Sequence, residues 1–135
     1  MESNVVYFKD ARQMKEVDDQ SIALALTSPP YWNVKDYALD GYQQEQRHAR
    51  SEGQIGDIGD YQAYLQALNE VWKECERVLK PNGKLCVNAP IMPIPKKIRN
   101  TEHTRYIVNI YSGIETEILT KTNLKLMDVY IWERS

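Results

Sequence analysis

The chain has no apolar run of membrane-spanning length, which argues against a transmembrane helix. It also has no basic-then-apolar leader, so a cytoplasmic location is expected. Cysteine is scarce: Cys75 and Cys86 are the only two, and they do not form a Cys-x-x-Cys pair. His48 and His103 stand alone, without ligand partners at metal spacing, so no metal site is expected and both thiols read as reduced and structural. Excess charge is missing as well. A net charge of −2 gives no general attraction to nucleic acid, so contact with a polyanion has to rest on local patches. No internal repeat and no low-complexity tract occurs. What remains is globular in composition: 135 residues, 42% apolar and 27% charged, make one domain or part of one.

The stretch that organises the chain runs from Ile22 to Trp32. Its apolar first half predicts a buried strand, and the strand stops at Pro29-Pro30. Neither proline has an N–H, both have φ fixed near −65°, and each keeps its predecessor out of the helical region. The strand therefore ends in a stiff, extended turn. Ser28 stands at the strand's carboxyl end, the edge at which open α/β sheets bind ligands. Tyr31 and Trp32 follow directly. A hydroxyl, backbone carbonyls and aromatic faces in one rigid corner suit a flat molecule that carries an NH2 group.

Upstream, Val5–Phe8 reads as a first strand and Ala11–Val17 as one or two helical turns. Downstream, residues 33–59 are long, polar and without sustained period. Lys35, Tyr37, Tyr42, Arg47, His48 and Arg50 lie there among glycines and glutamines. Cations beside aromatics suit DNA, with charge on phosphate and rings on bases; a surface loop is the alternative. Gly53, Gly56 and Gly59 lack the Lys-Ser/Thr ending and Gly-x-Gly core of a phosphate loop, and Glu52, Asp57 and Asp60 would repel phosphate. They read as a flexible lead-in to a helix with Asp60 as N-cap.

That helix is the clearest element: Tyr61, Tyr64, Leu65, Leu68, Val71, Trp72, Cys75, Val78 and Leu79 recur at three- and four-residue spacing. Lys80-Pro81-Asn82-Gly83 stops it, and Lys84–Asn88 follows as a strand. Residues 89–99 are proline-rich and then basic, either a phosphate patch or a solvated loop. Thr104–Leu119 is expected to be a second amphipathic helix that buries Ile107, Ile110, Tyr111, Ile114 and Ile118 and exits at Asn123. Leu126–Trp132 reads as a fourth strand.

Thr27-Ser28-Pro29-Pro30-Tyr31-Trp32 resembles the Ser/Asp/Asn-Pro-Pro-aromatic motif of S-adenosylmethionine-dependent amino-methyltransferases, above all the DNA enzymes that act on N4 of cytosine or N6 of adenine. Arg77–Leu85 is similar to the Leu-Lys-Pro-Gly-Gly junction of many methyltransferase folds. The resemblance implies an α/β architecture: a partial, doubly wound Rossmann-like fold, with a mostly parallel sheet flanked by helices. It implies that Ser28 Oγ and the Pro29 carbonyl accept hydrogen bonds from the target amine, that Pro30 stiffens the corner, and that Tyr31 stacks on a base swung out of the duplex. Trp32 either extends that wall or packs below it. Serine in the first position leans toward N4-cytosine, with N6-adenine open. Asp10 fits the acidic residue near the cofactor or target base, and equally a cap on the next turn. Cytosine C5 chemistry does not fit, because neither cysteine follows a proline.

The 27 residues before Ser28 contain no glycine, so the order of parts resembles the circularly permuted enzymes, whose Phe-x-Gly-x-Gly cofactor motif lies near the C-terminus. That motif is missing here too. Residues 1–135 are therefore expected to be the catalytic portion only, without the cofactor glycine loop or target-recognition region. Such a piece should leave a sheet edge and a sheet face uncovered. The partners expected are double-stranded DNA and either a complementing subunit or a second copy. A non-catalytic nucleic-acid-binding or assembly module is the alternative.

Overall fold

Ile22–Thr27 forms strand β1, and the helix α1, Tyr61–Val78, runs without a break into strand β2, Leu79–Val87. The computed structural model describes residues 3–32, 55–93 and 107–133. A single 3-10 turn at Ile55–Asp57 precedes α1; a short strand β3, Ile91–Pro93, then β4, Ile107–Asn109, and helix α2, Ile110–Lys121, follow β2. The described residues make an α/β fold with a parallel β1–β2 pair and a separate antiparallel β3–β4 pair.

α1 starts where its sequence says it should. The Asp60 side chain accepts the Ala63 N–H at 2.8 Å and satisfies one of the helix's orphan donors. One stripe then buries Tyr64, Leu65, Leu68, Trp72, Cys75 and Val78. All of these but Val78 join Trp32, Ile110 and Ile114 in a single core, against which Leu85 and Val87 of β2 pack. At the far end the Leu79 N–H bonds the Cys75 carbonyl while its own backbone is already extended (φ −72°, ψ 134°), so one residue both caps α1 and opens β2.

β1 and β2 pair Leu24–Thr27 with Lys84–Val87, and Ile22 with Leu79, so Lys80–Gly83 loop out between two ladder contacts. Asn82 takes φ 63°, the left-handed geometry that the Asn-Gly sequence predicts. Gly83 has no room for a side chain: a Cβ would lie 2.8 Å from the Lys80 carbonyl oxygen and 3.2 Å from that of Ile22. Parallel pairing sets the carboxyl ends of both strands on one edge. The outer sheet face, with Leu24, Leu26 and Cys86, is exposed.

Several expected elements differ. Val5–Phe8 and Leu126–Trp132 are not strands; both are exposed, and among the described residues no strand pairs with either, without which a ladder cannot form. Ala11–Val17 makes two tight turns, closed by Gln13 N–H to the Asp10 carbonyl and Val17 N–H to the Met14 carbonyl. The second helix starts later than its periodicity suggests. β-branched Ile107 and Val108 pair with β3, and Asn109 then caps α2 by accepting the Ser112 N–H at 2.9 Å. Of the predicted apolar face, Ile110 and Ile114 are buried but Ile107 is exposed. The helix exits at Thr122, in extended geometry (φ −128°, ψ 172°), and the Asn123 N–H bonds the Glu76 carboxylate of α1.

Arg77 ties residues 14–19 to α1. Its guanidinium binds Glu74 and Asp19 and donates to the Val17 and Met14 carbonyls at 3.0 and 2.9 Å. The hydrogen bond from Arg77 holds the Glu74 carboxyl below its ordinary 4.5. A carboxyl depressed in the folded state stabilises above its unfolded pKa and loses that contribution as pH falls through the lower folded value. Glu74→Gln is therefore expected to flatten the acid limb of the stability–pH profile below pH 4.5, read from thermal melts at descending pH.

α1 and α2 cross at Gly113, where a Cβ would sit 2.3 Å from Tyr61 Oη. The Tyr61 ring cannot swing aside, because Trp32 (centroids 5.1 Å apart) and Tyr64 (5.9 Å) hold it. Gly113→Ala is expected to destabilise by about 1–3 kcal/mol through overpacking, measured as a lower urea midpoint with unchanged slope.

Candidate active site

The corner begins where β1 ends. Ser28 is exposed, Pro29 buried, Pro30 exposed and Tyr31 half-buried. The Ser28 and Tyr31 hydroxyls lie 3.0 Å apart, so the motif's hydroxyl and phenol meet across the diproline bend. The Asn88 side-chain amide approaches the Tyr31 phenol from the end of β2, at 3.5 Å. Its backbone N–H extends the parallel ladder by donating to the Thr27 carbonyl at 2.9 Å. Asn88, Tyr31 and Ser28 thus form one polar line along the rim of the sheet.

The two proline carbonyls have different environments. That of Pro30 accepts the phenol of Tyr64 at 2.9 Å, from a side chain of α1 that is fully buried. That of Pro29 accepts no hydrogen bond among the described residues. An extended corner with one carbonyl anchored inward and another available beside an exposed hydroxyl can bind a group with two N–H bonds to donate.

Trp32 lies below this corner. Its ring is buried in the core and its indole N–H donates to the Ile58 carbonyl at 2.8 Å, so it supports the corner from beneath and does not extend the aromatic wall. Asp10 is exposed and forms a bidentate pair with Arg12, which also donates its backbone N–H to the same carboxylate. Hydrogen bonding to Arg12 holds its carboxyl below the usual value. In this arrangement Asp10 caps the turn that follows it. Lys35, Tyr37, Arg47 and Arg50 lie outside the described residues.

The thiols differ in kind. Cys75 is buried on α1, where desolvation pushes its pKa up to about 11, and Cys86 is exposed on β2. Burial that favours the neutral thiol argues against nucleophilic use of Cys75. Among the described residues there is no cluster of His, Cys, Asp and Glu suited to a metal ion, and no helix long and apolar enough to cross a membrane.

Sequence reasoning missed three residues around the corner. Tyr64 read as core, although a buried tyrosine hydroxyl almost always needs a partner. Asn88 read as the end of a strand, although that end falls on the ligand-binding edge. Gly56 read as flexible lead-in, yet it is buried against the corner: a Cβ there would lie 3.1 Å from Pro30 Cβ and 3.2 Å from the Tyr31 carbonyl oxygen.

Comparison with known proteins bears on this geometry. The DNA methylase family profile matches residues 22–135. The type II methyltransferase M.MwoI of Methanothermobacter wolfeii is 29% identical over 116 residues, covering 86% of this chain and 15% of its own length. M.MjaI of Methanocaldococcus jannaschii is 34% identical over 96 residues, 62% of this chain and 31% of the relative. The chain thus spans less than a third of the length of these relatives. Among solved structures, the candidate DNA modification methylase TTHA0409 of Thermus thermophilus superposes with a TM-score of 0.56 at 25% identity, covering 84% of this chain and 38% of that one. Its complex with S-adenosyl-L-methionine matches at 26% identity with the same TM-score.

Proposed function

Because this chain belongs to the DNA methylase family, we propose that residues 1–135 are the catalytic portion of an amino-methyltransferase that transfers a methyl group from S-adenosylmethionine to the exocyclic amine of cytosine (N4) or adenine (N6) in double-stranded DNA, as part of restriction–modification. The observation that carries this reading is the exposed Ser28 hydroxyl, 3.0 Å from the Tyr31 phenol, on a diproline bend whose Pro30 carbonyl is anchored inward.

The chemistry follows from the amine. Its lone pair is delocalised into the ring, which makes it a weak nucleophile. Ser28 Oγ and the Pro29 carbonyl accept its two N–H bonds, hold the nitrogen nearer tetrahedral geometry and free the lone pair for attack. Transfer would break the donor's S–CH3 bond, leaving a thioether, as the N–C bond forms, and the surplus proton would then pass to water, so Ser28 acts by orientation and electrostatics and no general base is required. The half-buried Tyr31 supplies the aromatic ring on which a flipped base would stack.

S-adenosylmethionine supplies an electrophilic methyl group when bound. The residues described here fit only the amine's side of the reaction. The Asp10 carboxylate is neutralised by Arg12, and the 135 residues contain no Gly-x-Gly sequence to cradle the cofactor. On this reading a complementing segment supplies the cofactor side.

The test is labelled methyl transfer to duplex DNA, with and without a cofactor-binding segment from a relative, followed by identification of the methylated nucleoside. Transfer to N4 or N6 supports the reading. DNA binding without transfer under any complementation supports instead a non-catalytic nucleic-acid-binding or assembly module, a reading favoured by the Asp10–Arg12 pair.

A further inference from the structure

The geometry points to Tyr64 and Gly56 as positioning residues that clamp the Pro30 peptide plane and thereby choose which backbone carbonyl faces the target amine. The inference rests on the amino-methyltransferase reading and concerns residues outside the Ser28–Tyr31 motif.

A diproline bend has two adjacent carbonyls, and only one can meet the amine beside Ser28. The two carbonyls are related by the torsions of Pro30, whose ring fixes φ near −65° and leaves ψ as the one rotation that turns them against each other. Fixing the direction of one therefore fixes the other. The Tyr64 phenol fixes it: Oη donates to the Pro30 carbonyl at 2.9 Å from a side chain with no exposed surface. An orientable backbone group is thereby bound to a rigid one, because Tyr64 sits on the buried stripe of α1 between Tyr61 and Leu68.

Gly56 closes the clamp from the opposite element. Its Cα lies so close to the corner that an added methyl would meet Pro30 Cβ at 3.1 Å and the Tyr31 carbonyl oxygen at 3.2 Å. Tyr64 holds the Pro30 carbonyl by a hydrogen bond, and Gly56 packs against Pro30 and the Tyr31 backbone. The Pro29 carbonyl, which accepts no hydrogen bond among the described residues, is the acceptor left next to the exposed Ser28 hydroxyl. Two acceptors then stand at fixed separation, as a group with two N–H bonds requires, and a small displacement of either is expensive in rate.

The test uses the chain with its complementing segment and follows steady-state methyl transfer to duplex DNA for Tyr64→Phe, Gly56→Ala, Ser28→Ala and a control, Val71→Ala, on the same helix. Tyr64→Phe and Gly56→Ala are each expected to lower kcat by about ten- to hundredfold, with KM for DNA within about twofold of the parent. Val71→Ala, at comparable loss of melting temperature, keeps the parental kcat. If Tyr64→Phe loses its helical circular dichroism, Gly56→Ala decides alone. Parental kcat in the folded clamp variants, with Ser28→Ala inactive, overturns the clamp and leaves the methyltransferase reading intact. The same kcat loss in Val71→Ala also overturns it. No transfer by the parent under any complementation overturns both.

Discussion

Ser28→Ala is expected to lower methyl transfer by about a hundredfold or more while the melting temperature stays within experimental error. The hydroxyl is exposed, and its hydrogen bond is to the Tyr31 phenol at 3.0 Å, so its removal leaves no cavity and no buried polar group unpaired. On the proposed mechanism, what is lost is one of two acceptors that orient the amine. Tyr31→Phe separates the phenol from the ring. It deletes the partner of Ser28 and the approach of Asn88 but keeps the aromatic edge, so its loss should be smaller than that of Ser28→Ala. Single-turnover transfer in the complemented protein measures both. A Ser28→Ala protein that transfers at the parental rate would sink the orienting role.

The largest effect on stability is expected at Trp72, the biggest fully buried side chain in the core. Trp72→Ala should destabilise by about 3–5 kcal/mol, because the lost transfer energy is joined by the cavity left behind. Against a total of roughly 5–15 kcal/mol for a domain, that is enough to unfold a large part of the population. Trp72→Phe should do far less. The indole N–H is buried without a hydrogen-bond partner among the described residues, so the ring carries a polar atom whose loss removes a desolvation penalty and offsets part of the lost area. Urea denaturation of the two variants separates packing from polarity. Equal losses would contradict the account.

How far the sequence led depended on whether an element is specified locally. α1 was legible to within a residue, since Asp60, the apolar stripe and the Pro-Asn-Gly stop all act on neighbouring atoms. The end of β1 at Pro29-Pro30 was legible for the same reason, whereas the parallel sheet was implied only by the family resemblance. Val5–Phe8 and Leu126–Trp132 were not: their composition suits a strand, but a strand exists only where a partner pairs with it. The start of α2 was misread because Ile107 and Val108 satisfy both a helical period and strand propensity, and pairing with Ile91–Pro93 decides between them. At the Ser28–Tyr31 corner the motif was visible and its supports were not. Tyr64 and Asn88 reach the corner from 34 and 57 residues beyond the residues they bind, distances that no local pattern encodes.

The seamless passage from α1 to β2 limits how this chain can be engineered. Leu79 closes the helix and also pairs with Ile22, so an inserted residue at that junction would rotate the helix against the sheet. The same rotation would carry Tyr64 away from Pro30 at one end and draw Asn88 out of line with Thr27 at the other. Fusion sites, protease-cleavage sequences and split points belong elsewhere in the chain; a cut at Leu79 would sever the shaft that keeps both jaws of the corner in register.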